Sequence, residues 1–81
     1  NPFNPSTTIK YSLPSYNKVN AKTTLIIYDV LGRKVKTLVN REQKTGTYEV
    51  VFNAKNLSSG IYFARLSSGD FTKTISMILI K

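Results

Sequence analysis

The chain has 81 residues, 41% of them hydrophobic and 20% charged, with twelve Lys and Arg against four Asp and Glu for a net charge of +8. Neither Cys nor His occurs, which excludes disulfides, the usual zinc ligand sets, Ser-His and Cys-His nucleophiles and the commonest general base. So short a chain makes one domain, buries only about 60–65% of its unfolded surface and leaves little room for a catalytic cleft.

The opening NPFNPSTTIKY places prolines at positions 2 and 5. Residues before proline are pushed to extended conformations, so residues 1–6 read as a stiff, helix-free lead-in with Phe3 free to pack on the end of the domain. Strand periodicity follows almost throughout. Ile9, Tyr11 and Leu13 alternate with Thr8, Lys10 and Ser12, and a polar loop over 14–21 leads to Leu25 and Ile27 in a run dense with β-branched and aromatic residues. Residues 33–39 carry Val35, Leu38 and Val39 less regularly, which predicts a bulge or bend near Leu38 or a break into two strands. Tyr48, Val50 and Phe52 alternate again, and residues 61–66 and 71–80 continue the pattern.

Glycine marks the joints: Leu31-Gly32, Thr45-Gly46, Ser59-Gly60, and Ser68-Gly69-Asp70 as a hairpin. Six to seven strands without a helix predict an immunoglobulin-like antiparallel β-sandwich. Leu57, Gly60 and Tyr62, spaced L-x-x-G-x-Y, predict a tyrosine corner, in which the Tyr hydroxyl bonds backbone a few residues upstream.

The basic charge raises nucleic-acid binding, but Lys10, Lys18, Lys22, Lys44, Lys55, Lys73 and Lys81 are scattered and only Arg33-Lys34-x-Lys36 clusters. A solvated basic surface accounts for this spacing, and no nucleic-acid partner is expected. Asp29, Glu42, Glu49 and Asp70 are too few and too dispersed for a calcium site, and Glu42 and Glu49 read as solvated strand-end charges rather than a catalytic pair. No enzymatic, cofactor or metal site is expected. Met77 to Ile80 is apolar but far shorter than the roughly 20 residues of a spanning helix, so no transmembrane segment is expected. Residues 74–80 are apolar on both faces, which suits a buried central strand, a strand offered to a partner edge, or a core strand closing the sandwich.

Four stretches, NPFNPSTTIKYSLP, LIIYDVLGRKVKTLV, NAKNLSSGIYFARL and the closing KTISMILIK, resemble in order and spacing the type A C-terminal sorting domain of the type IX secretion system, over essentially all 81 residues. A looser resemblance is to the immunoglobulin-like domain of flagellar hook-capping proteins. The first resemblance implies a non-catalytic recognition tag at the end of an upstream cargo. An outer-membrane translocon reads the folded domain after export to the periplasm, the cargo goes to the cell surface or medium, and a signal peptidase removes the tag in many members. The matching positions are Asn1, Pro2, Asn4 and Pro5 in the lead-in, Tyr28, Asp29, Gly32 and Arg33 in the turn, Ser59, Gly60 and Tyr62 at the corner, and Lys73 with Met77, Ile78, Leu79, Ile80 and Lys81 toward the end. Gly32 suits a positive φ, and Asp29 suits a bond to nearby backbone. A strand-swapped homodimer is compatible with the terminal strand. The alternative reading is an accessory carbohydrate-binding or adhesion sandwich, which wants exposed planar aromatics in a chain without Trp.

Overall fold

The computed structural model describes residues 2–3, 5–14 and 21–80. Its strands are β1 (Pro2–Phe3), β2 (Ser6–Leu13), β3 (Ala21–Tyr28), β4 (Lys34–Gln43), β5 (Gly46–Asn53), β6 (Gly60–Ser68) and β7 (Phe71–Leu79), and no helix occurs among the described residues. They form two sheets of unequal size: five strands in the order β1-β7-β6-β3-β4 face a two-stranded sheet of β2 and β5. The sandwich expectation holds, with one addition. The seventh strand does not come from a break in residues 33–43, which form the continuous β4, but from β1, which pairs parallel to β7 through Pro2 opposite Ile78 and Phe3 opposite Leu79. Proline is tolerated there because β1 is an edge and needs no donor on its outer side. The Asn1, Asn4 and Lys81 positions and most of the 14–21 loop lie outside the described residues.

Alternation becomes burial directly. Ile9, Tyr11, Leu13 and Phe52 of the small sheet meet Leu25, Ile27, Val39, Tyr62, Ala64, Leu66, Met77 and Leu79 of the large one, an interlayer packing that excludes water from about a dozen apolar side chains, each worth roughly 1.5–3 kcal/mol for the larger types. Two polar pairs sit within the core and are satisfied. Tyr11 donates its hydroxyl to Gln43 Oε1 at 2.9 Å, and the Thr23 and Ser68 hydroxyls lie 2.8 Å apart across β3 and β6. Tyr11 also stacks on its cross-strand neighbour Tyr48, ring centres 5.4 Å apart, a geometry that adds about 0.5–1.5 kcal/mol beyond area.

The irregularity near Leu38 is a bulge. Leu25 pairs with Val39 but Ile26 with Thr37, so Leu38 has no partner, and a second shift leaves Val35 out between Lys36 and Lys34. Two extra residues on β4 add local bend and twist, while the strand stays paired with β3 from Lys34 to Gln43. The β6–β7 joint is the expected hairpin: Gly69 has φ 58°, while Asp70 has no positive φ, the pattern of a type II′ turn. The joint between β3 and β4 is longer than a two-residue link and spans residues 29–33.

Candidate functional site

The turn at 29–33 is built by one carboxylate. Asp29 Oδ1 accepts from the Leu31 amide at 2.9 Å and the Arg33 amide at 3.0 Å, while Oδ2 accepts from Arg33 Nε at 2.8 Å. Backbone bonds close the same loop, from the Gly32 amide to the Asp29 carbonyl and from the Asp29 amide to the Arg33 carbonyl, both 3.0 Å. A three-residue loop of this kind ends in a left-handed residue. Gly32 fills that position at φ 81°, with no atom within 4 Å of where a Cβ would stand, so backbone conformation alone selects glycine. The Arg33 amide above all holds the Asp29 carboxyl below its ordinary value. Partial desolvation opposes it, and the Arg33 side chain and the Leu31 amide reinforce it.

This locked loop presents Val30 and Leu31 to solvent, 62% and 73% exposed. Two large aliphatic side chains at the tip of a rigid turn gain nothing for folding, because they leave water for no core. Beside them lies the tyrosine corner: Tyr62, buried, donates its hydroxyl to the Ser58 carbonyl at 2.7 Å, as the L-x-x-G-x-Y spacing predicts. Loop and corner together wall a shallow concavity of about 450 Å³ lined by Asp29, Val30, Leu31, Arg33, Ser58, Ser59, Gly60, Ile61 and Tyr62.

Strand register brings the chain's far end to the same place. Gly60 pairs with Leu79, Ile61 with Ile78, and Tyr28 with Phe63, and β1 joins at Ile78 and Leu79. Met77 and Leu79 point into the core, whereas Ile78, Ile80 and Ile61 are exposed at 42%, 50% and 46%. The buried-central-strand reading of β7 is therefore corrected. Only β6 pairs along its whole length, the two residues of β1 cover one end of its other side, and its outward isoleucines face water.

Thus Pro2, Tyr28, Asp29, Gly32, Arg33, Ser59, Gly60, Tyr62, Met77, Ile78, Leu79 and Ile80 gather at one end of the sandwich, with Pro5 just before β2. Lys73 does not. It pairs with Leu66, six positions before Leu79, about 20 Å along a strand that rises roughly 3.3 Å per residue. Val30, Leu31 and Ile61 belong to the surface although residue-type reasoning left them out. For Val30 and Leu31 the signal was an apolar pair between Asp29 and Gly32, where a turn tip is solvated; Ile61 is placed only by the register of β6.

A family model described as a secretion system C-terminal sorting domain matches residues 1–81. The chain belongs to that family. No curated protein and no solved structure shows a significant match. In sorting domains of the type IX system the tail marks proteins for export to the cell surface or medium. The sorting domain shows no group of three or more Asp or Glu placed to hold a metal among its described residues, and no helix long and apolar enough to cross a membrane.

Proposed function

We propose that the sandwich end formed by the 29–33 turn, residues 58–62 and the last residues of β7 is the surface the type IX translocon reads, and that the domain directs an upstream cargo outward through it. The observation that carries this reading is the exposure of Val30, Leu31, Ile61, Ile78 and Ile80 at one end, beside a turn fixed by the bonds of Asp29. Contiguous apolar patches on small proteins mark interaction surfaces, and rigid ones bind with less ordering cost. The lead-in at residues 1–6, in which Pro2 and Phe3 pair with β7, is the joint at which a signal peptidase separates tag from cargo. The carbohydrate-binding alternative lacks its main requirement: of the seven aromatic side chains whose burial is described, three are buried, four half-buried and none exposed.

Site-specific crosslinking in export-competent cells tests the surface. A photoreactive residue at Leu31 should capture an outer-membrane component of the type IX machinery. The same residue at Val51, 62% exposed on the outer face of the small sheet against 73% for Leu31, should not. Equal capture from both positions, or capture from Val51 alone, contradicts the assignment.

A further inference from the structure

At the opposite end of β7 the two sheets do not match. Among the described residues β2 has β5 on one side and no strand on the other, and β7 has no strand on its outer side from residue 71 to 77. Between these two edges runs a groove with a floor of Ile9, Tyr11, Leu25, Ala64, Leu66 and Ile75. Ile75 and Lys73 have the inward parity of Met77 and Leu79, yet both are exposed because the small sheet stops one strand short of them. A third strand placed about 4.8 Å beyond β2 would lie over β7 and cover Ile75.

We infer that this missing position is a docking site for an extended segment of a partner protein, added as a strand to the free edge of β2, with apolar side chains alternating inward and an acidic side chain facing Lys73. Three observations select that occupant. The free backbone edge calls for a strand, since only another backbone satisfies alternate N–H and C=O groups along its length. The groove holds about 70 Å³, enough for one or two aliphatic side chains and well below the roughly 300–1,000 Å³ of metabolite sites. Charge then decides between partners. Lys10 is already paired with Glu49 at 3.7 Å, whereas Lys73 has no ion pair among the described residues, and a second copy of a chain carrying +8 would meet like charge. This inference is independent of the translocon-reading surface.

The test uses the 81-residue chain and a labelled, end-capped peptide of eight residues, the length of β2, in which threonine alternates with inward-facing residues, one of these a glutamate set to face Lys73 and the others valine. Its counterpart carries lysine in place of glutamate. The glutamate peptide should bind and shift amide resonances of β2, Lys73 and Ile75, and the lysine peptide should bind at least about tenfold more weakly. Lys73→Glu should reverse that order, and its own spectrum reports whether it is folded. Ile75→Ser, a change at a 40% exposed position, should weaken the glutamate peptide while leaving the fold intact. The proposal is overturned if neither peptide binds up to about 1 mM, if both bind alike, if the shifts map to residues 29–33 and 58–62, if Lys73→Glu leaves the preference unchanged so that the lysine only protects an edge, or if the chain dimerises through this groove.

Discussion

Arg33 and Asp29 hold each other through a 2.8 Å contact from Nε to Oδ2 across a loop that the same carboxylate also closes through two backbone amides. Arg33 is exposed and Asp29 half-buried, so solvent still reaches the pair and its Coulombic part is small and salt-sensitive. Its value is positional: it fixes the base on which Val30 and Leu31 stand. Asp29→Asn keeps a side-chain acceptor for the backbone and loses the ion pair, whereas Asp29→Ala loses all three bonds. The loop amides of Leu31 and Arg33 should therefore exchange faster in the alanine variant than in the asparagine one.

The Asp29 carboxyl also sets a pH dependence. Its pKa is lowered in the folded chain from an ordinary 3.8, so the contribution of the turn is fully present above that value and is lost as pH falls through the lower folded value. In an NMR titration, the Leu31 and Arg33 amide resonances should move together with a midpoint below the ordinary carboxylate one. A midpoint at or above 3.8 contradicts the hydrogen-bonded geometry.

Gly32 stands at φ 81° in open space, so a side chain there meets backbone strain and no clash. Gly32→Ala should destabilise the domain by about 1–2 kcal/mol. That corresponds to a fall in melting temperature of about 4–8 °C for each kcal/mol in a domain of this size. Gly32→Asn should cost less, because asparagine enters the left-handed region more readily.

The corner bond from Tyr62 to the Ser58 carbonyl is 2.7 Å and partly buried. Tyr62→Phe keeps the ring in the core and leaves that carbonyl short of a donor, so the loss should be about 1–3 kcal/mol in urea unfolding. Phe52→Ala removes a side chain with no exposed surface and should cost about 3–5 kcal/mol, enough to unfold a domain this small. An indifferent Tyr62→Phe would mean that strand packing alone positions residues 58–62.

Much of this was legible residue by residue. Period-2 alternation located the buried faces of β2, β3, β5 and β6 because each has water on one side only. The missed beat at Leu38 announced a bulge, and L-x-x-G-x-Y announced the corner bond. Alternation says which face is buried but not which strands are neighbours, so the division into five strands and two was not readable. Ile75 shows why: it has the parity of a core residue, yet it is exposed, with no strand opposite it among the described residues. β1 was hidden for another reason, since two residues carry no period. The site was half legible. The residues fixing the 29–33 turn announce themselves by type, as Asp, Gly and Arg at turn spacing, whereas Val30, Leu31 and Ile61 look like ordinary core residues until the turn and the register place them outside. Lys73 joined the same motif in the chain, and six strand positions carry it elsewhere in space.

The central claim is that the apolar end is read during export. Residues 1–81 fused to a periplasmic reporter, in a host with a type IX system, should deliver the reporter outside the cell. A Val30→Ser, Leu31→Ser, Ile61→Ser variant should leave it in the periplasm. These three side chains are 62%, 73% and 46% exposed, so the variant should stay folded with little change in stability, which the circular dichroism and melting temperature of the purified domain check. Lys73→Ala, at the far groove, should export normally. If the folded triple variant is delivered at the level of the unaltered fusion, the apolar end is not the surface that is read, and if the unaltered fusion itself stays periplasmic while folded, the sorting role assigned to this chain is contradicted.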